Sequence, residues 1–199
     1  MSGGNVTCCV GLVSDGVTYL GVDSGSSSGY TNRVLRSSCS KVQRFVTRGS
    51  SDSVVGESVL VATCGSPRMM QCLLAGSPFP NISSTCDPYL WAVQQLILTI
   101  HQSFRDGDFE SHVNDVSSFA EDGEILVAVR GRLLHIQNNY QVIEYASNYT
   151  AIGSGRDFAL GALYSTSFSA RNRVEMALEA AQEFDEGTRG PFIIEELTF

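Results

Sequence analysis

A chain of 199 residues with 43% hydrophobic and 17% charged side chains describes one globular domain with ample apolar surface to bury, and it excludes bulk disorder. The formal net charge of −8, with 13 Lys and Arg against 21 Asp and Glu, excludes a nucleic-acid surface, which needs cations gathered on one face. No apolar run approaches the roughly 20 residues of a membrane helix, and Met1–Val6 lacks the basic and apolar regions of a signal peptide. The expectation is therefore an intracellular, cytoplasmic protein whose six cysteines are reduced thiols.

In chain order, residues 6–13 and 17–22 are short β-branched runs separated by Ser14-Asp15-Gly16, a hairpin signal because Gly accepts the positive φ of a tight turn. Residues 24–40, rich in Ser and Gly, read as a loop. Lys41–Val46 and Ser58–Thr63 read as two further strands.

The period then changes. Ser66-Pro67 starts a helix that carries Met70, Leu73 and Leu74 on one face and ends at Gly76. Asp87-Pro88 starts a longer one, with Leu90, Val93, Leu96, Ile97, Ile100 and Phe104 at helical spacing. An acidic loop follows from Asp106 to Glu124. Strands return at Ile125–Val129, Leu133–Gln137, Val142–Tyr145 and Tyr149–Ile152. Two helices over 156–165 and 170–184 come next, the second capped by Ser169 with a Val174, Ala177, Leu178, Ala181, Phe184 stripe. Pro191–Leu197 is a last strand.

Hairpin-linked strands imply antiparallel sheets, and paired helices after each block imply one helical layer per sheet. The expected fold is α+β, a four-layer α-β-β-α sandwich of two antiparallel sheets in a single domain.

A threonine hydroxyl is a poor nucleophile until a base takes its proton, and the free α-amino group of the same residue can be that base. Its reference pKa of about 7.7–8.0 lies where a general base works best. The segment from Thr7 to Ser24 resembles the opening of proteasome β-subunits and bacterial HslV, N-terminal-nucleophile (Ntn) hydrolases. There a Thr begins the first strand and an Asp ends the second, sixteen residues on, as Thr7 and Asp23 do here. Lys41-Val42 is similar to the family's Lys and apolar residue at the third strand. Ala151-Ile152-Gly153-Ser154-Gly155 resembles its second signature, and Gly190-Pro191-Phe192 its closing segment. The likeness runs over nearly the whole chain from Thr7, and it is nearest to short proteasome-like proteins of bacteria and their viruses.

This resemblance implies Thr7 as nucleophile and, through its amine, base. Lys41 tunes the amine, Asp23 orients Lys41, and Ser154 assists with protons. The backbone N–H of Ala62, where the family has Gly, meets the oxyanion. Glu183 falls where the family has a supporting Asp. It further implies a threonine-type endopeptidase without metal or cofactor, acting on polypeptide in a homo-oligomeric ring; an ATPase unfoldase partner is not legible. Residues 1–6 are then a leader or propeptide ahead of a domain over 7–199, and the amine exists only once the Val6–Thr7 bond is cut.

Other readings of the same residues stand beside this one. A non-enzymatic assembly protein would keep the fold and the leader, and a small-molecule Ntn amidohydrolase would keep the nucleophile. Cys9 is expected in the core and Cys8 in a pocket wall. His101, His112 and His135 share no ligand spacing, and Asp106, Asp108 and Glu110 lack the Gly and terminal Glu of a calcium loop.

Overall fold

The first hairpin carries apolar side chains on both faces, most of them fully buried, and the two faces find different partners. The computed structural model describes residues 7–28, 31–34, 40–50, 56–113, 116–118 and 123–199. The expected leader, 1–6, lies outside the described residues. The first sheet contains β1 (Cys8–Ser14), β2 (Val17–Val22), β12 (Tyr149–Gly153) and β13 (Ile193–Thr198), in the order β12-β1-β2-β13. The second contains β5 (Val42–Val46), β6 (Ser58–Cys64), β9 (Glu124–Val129), β10 (Arg132–Gln137) and β11 (Val142–Glu144), in the order β11-β10-β9-β6-β5. Every pairing in both sheets is antiparallel.

The inner faces meet through Cys9, Leu20 and Val22 on one side and Val42, Leu60, Ala62, Leu126 and Leu133 on the other. Gly11 permits the approach, since a Cβ there would lie 2.9 Å from Leu133. Outside the first sheet lie α4 (Arg156–Ser165) and α5 (Ala170–Phe184), which cover Cys8, Val10 and Leu12. Outside the second lie α1 (Arg68–Ala75) and a long helix, packed on Val59, Val61, Ile125 and Val127. The result is the α-β-β-α sandwich.

The long helix starts as the sequence indicates: the Asp87 carboxylate accepts the N–H groups of Tyr89 and Leu90 at 2.9 and 3.0 Å. It runs as α2 (Pro88–Trp91), a π-helical turn (Ala92–Leu96) and α3 (Ile97–Asp106). A π turn spends an extra residue and rotates the phase of what precedes it. Consequently Trp91, just before the turn, and Ala92, its first residue, are buried, whereas Leu90 and Val93 of the expected stripe are exposed. Leu96, Ile100 and Phe104, in and beyond the turn, are buried as the period requires. Three further departures are small. Leu74, expected on the apolar face of α1 with Met70 and Leu73, is exposed at the helix end. Ser169 makes no side-chain cap bond, and Phe184 is exposed beyond the end of its stripe, against Phe158.

Two stretches read as loops contain short hairpins: β3 (Gly25–Ser28) with β4 (Thr31–Val34), and β7 (Ser111–Val113) with β8 (Val116–Ser118). Backbone pairing needs no apolar alternation, so a Ser-rich segment gives no periodic signal for it.

Helix α5 lies directly on β2 at Gly21, where a Cβ would sit 2.4 Å from the Val174 side chain and 3.0 Å from Leu178. Gly21→Ala is expected to lower stability by about 1–3 kcal/mol through overpacking. Denaturant unfolding monitored by circular dichroism reads that loss, and an unchanged midpoint would mean that α5 is not seated against this strand.

Candidate active site

At one end of the sandwich, β1, β2, β12 and the start of β5 converge. Thr7 immediately precedes β1 and is buried, 1% exposed. Asp23 follows β2, held there by two bonds to the neighbouring strand: its N–H donates to the Cys8 carbonyl at 3.2 Å, and its Oδ1 accepts the Cys8 N–H at 3.1 Å. Its Oδ2 accepts the N–H groups of Gly25 at 2.9 Å and Arg189 at 3.3 Å.

Lys41 immediately precedes β5, in the other sheet. Its Nζ donates to Asp23 Oδ1 at 2.7 Å and to Thr7 Oγ at 2.9 Å. Both members of the ion pair are buried. Burial pushes the Asp23 carboxyl above its ordinary pKa, although Lys41 and the surrounding N–H groups pull the other way.

Ser154 approaches from the turn between β12 and α4. Its Oγ accepts the Thr7 N–H at 3.2 Å and lies 3.3 Å from the Thr7 carbonyl oxygen. The turn fits only because of its glycines. Gly153 has φ +91°, and a Cβ there would fall 2.2 Å from the Thr7 carbonyl oxygen. At Gly155 a Cβ would lie 2.7 Å from the Thr188 hydroxyl and 2.9 Å from Ala181.

Thr7, Asp23, Lys41 and Ser154, singled out in the sequence, thus come together within hydrogen-bond distance. Two other residues do not join them as expected. Glu183 is exposed on α5. The carboxylate beside Ser154 is Asp185, just past the helix end, whose Oδ2 accepts the Ser154 hydroxyl at 2.9 Å and the Thr188 hydroxyl at 2.6 Å. The helix continues through Phe184 and carries residue 183 outward, while Asp185 leaves it in extended conformation. The nearby Gly187 and Thr188 were the available sequence signal for that exit.

Ala62 lies within β6, registered against Val42 on one side and Leu126 on the other. The Thr63 N–H donates to the Lys41 carbonyl at 2.9 Å. Successive amides along a strand point to opposite sides, so the Ala62 N–H faces β9 and belongs to the sheet ladder. It is not open to a ligand. Cys8, expected in a pocket wall, is buried under α5 instead, where burial pushes its thiol pKa well up; Cys9 is in the core between the sheets.

Lys41→Met removes the only cation within bonding distance of Asp23 among the described residues and leaves a buried carboxylate without its counter-charge. Stability is expected to fall by about 3–5 kcal/mol at neutral pH, and part of the loss is expected to return on acidification as Asp23 takes up a proton. Thermal unfolding at two pH values measures this. A pH-independent loss would mean that Asp23 is not the group left unpaired.

No protein-family model matches the chain, and no curated protein matches it. Solved structures do. Thiobacillus denitrificans BPH in complex with epoxomicin aligns over 96% of this chain and 98% of its own, with TM-score 0.69 and 19% identity. Trypanosoma brucei HslV aligns over 96% and 99%, with TM-score 0.61 and 16% identity. Anbu (ancestral beta-subunit) from Yersinia bercovieri aligns over 96% and 81%, with TM-score 0.64 and 16% identity. Four layers, two antiparallel sheets and agreement over nearly the full chain establish that this protein has the proteasome-like Ntn hydrolase fold of HslV and Anbu.

Proposed function

We propose that this protein is a threonine-type endopeptidase in which Thr7, once residues 1–6 are removed, is the N-terminal nucleophile. The observation that carries the reading is the contact of one buried cation with both partners, Lys41 Nζ to Thr7 Oγ at 2.9 Å and to Asp23 Oδ1 at 2.7 Å. A strand threonine with a packing role has no use for a buried lysine on its hydroxyl, because burying that charge is costly.

In the uncut chain the Thr7 nitrogen is an amide and stands in for the amine of the mature enzyme. The cut begins with attack of Thr7 Oγ on the Val6 carbonyl carbon. The C–N bond breaks as the proton passes from the hydroxyl to the nitrogen, leaving Val6 as an ester on Oγ, and water then hydrolyses that ester. On substrate, the freed amine takes the Oγ proton, Oγ attacks the scissile carbonyl, and the amine's proton passes to the departing nitrogen. Water releases the acyl group in the second half.

Lys41 keeps the amine neutral by its charge, Asp23 holds Lys41, and Ser154 with Asp185 carries the hydrogen bond to the Thr7 nitrogen. The oxyanion is assigned to the N–H of Gly65, which follows β6. Amides at alternate positions face the same edge, so Gly65 follows Thr63 on the side of Lys41, one step beyond the strand end. Assembly into a homo-oligomer belongs to the same reading. It is supported by the Anbu complex from Pseudomonas aeruginosa, described as a helical assembly, and by exposed Tyr164 and Phe184 on the outer helices and Phe168 in the connection between them.

Intact-mass measurement of the purified protein tests the first step: loss of residues 1–6 is expected in the wild type and not in Thr7→Ala. A peptide-fluorophore assay tests the second, with turnover falling by roughly 10³-fold or more in Thr7→Ala. A native assembly that retains its leader and lacks turnover would instead identify a scaffold with this fold.

The pH dependence follows from Asp23. An acid whose folded pKa is raised binds its proton more readily in the folded chain than in the unfolded one, so acidification through that window costs no folding stability. It does release Lys41. Protonation of the Thr7 amine and of Asp23 both contribute to the acid limb of turnover, which is therefore expected above the usual aspartate value of about 3.9, with the fold intact. A pH series of kcat/KM beside near-ultraviolet circular dichroism checks this. Coincident loss of both signals would remove Asp23 from the acid limb.

A further inference from the structure

Ser154 reaches Thr7 from a turn, and turns move unless something holds them. Among the described residues β12 is an edge strand of the first sheet, paired with β1 alone. At its end, the Gly153 N–H donates to a side chain of the other sheet, Glu124 Oε2, at 2.7 Å. Glu124 opens β9, registered between Cys64 of β6 and Gln137 of β10. The bond therefore ties the two sheets together at the catalytic end.

The other carboxylate oxygen is also engaged. Glu124 Oε1 lies 3.2 Å from His135 Nε2 and 3.6 Å from Arg156 Nη1. His135 is itself oriented, with Nδ1 3.2 Å from the Tyr145 hydroxyl. Burial disfavours the charge on Glu124, but the His135 ring, the Gly153 N–H and Arg156 together hold its pKa below the ordinary glutamate value. It accepts from Gly153 as a carboxylate, and hydrogen bonds to charged acceptors are the stronger kind.

We propose that Glu124 is a positioning residue for Ser154: by holding the Gly153 N–H it fixes the turn that presents the serine hydroxyl to Thr7. This rests on the threonine-nucleophile reading. The margin for movement is small. Gly153 already touches the Thr7 carbonyl so closely that a Cβ would fall 2.2 Å from it. Ser154 Oγ must meet the Thr7 nitrogen at 3.2 Å and Asp185 at 2.9 Å together. A turn released from Glu124 can swing away from Thr7 and lose both contacts, with no direct effect on substrate binding.

Three variants test this. Glu124→Gln keeps an acceptor oxygen at the same reach and is expected to retain kcat within about threefold of the wild type. Glu124→Leu removes the acceptor, and Glu124→Asp withdraws the carboxylate by one methylene while keeping its charge. Both are expected to lower kcat roughly tenfold to a hundredfold with KM nearly unchanged. Amide hydrogen exchange over residues 150–156 is expected to quicken in Glu124→Leu and Glu124→Asp but not in Glu124→Gln, with β2 and β6 unaffected.

If Glu124→Leu does not fold, Glu124→Asp and Glu124→Gln carry the comparison. Unchanged kcat in Glu124→Asp despite faster exchange at the turn would overturn the proposal, as would Glu124→Gln being as impaired as Glu124→Asp. A wild type without turnover would instead refute the peptidase reading. Hydrogen exchange would then still decide whether Glu124 holds the turn, with equal exchange in Glu124→Asp and Glu124→Gln counting against it.

Discussion

The arrangement depends on one buried ion pair that crosses from sheet to sheet. Asp23 belongs to the end of β2 and Lys41 to the start of β5, and their 2.7 Å contact joins the two layers beside Thr7. Such a pair is a poor source of stability, because taking two charges out of water costs several kcal/mol per ion and the Coulomb attraction repays it only with good geometry and further hydrogen bonds. Here Asp23 is supplied with those bonds by three backbone N–H groups, from Cys8, Gly25 and Arg189. The lysine gains a fixed position, with its ammonium directed at a hydroxyl.

Around this pair the backbone approaches itself more closely than side chains would permit. Gly153 and Gly155 let the β12–α4 turn touch Thr7 on one side and Thr188 on the other. The two strand ends, the turn and the segment after α5 thereby meet at a single point, although Thr7 and Ser154 lie far apart in the chain. The carboxylates divide the work by environment. Asp23, buried deeply, is pushed up in pKa, while Glu124, half-buried between His135, Arg156 and an N–H donor, is pulled down. One orients a cation and the other holds a turn.

Much of the fold was legible because burial imposes a period. The strands of both sheets and the helices follow from apolar alternation and from start signals such as Asp87-Pro88, whose carboxylate does cap the helix. The stripe upstream of Leu96 departs from the expected period because a π turn shifts the phase, and nothing in a hydrophobic pattern marks the extra residue. The hairpins at residues 25–34 and 111–118 were silent because backbone pairing among polar residues carries no pattern.

Spacing along the chain determined which residues could meet: Thr7, Asp23 and Lys41 each adjoin a strand end, and Gly153-Ser154-Gly155 sits where a strand turns into a helix. Tertiary structure alone decided the rest. Asp185 rather than Glu183 sits beside Ser154, because helix phase and the point of exit set where a side chain points. The Ala62 amide is consumed by β9, because a central strand has a partner on each side. Glu124, which gives no motif, reaches Gly153 only because the sandwich brings the start of β9 under the end of β12. Hydrogen bonds act over about 3 Å, and which atoms come that close across two sheets is fixed by packing, which sequence order does not encode.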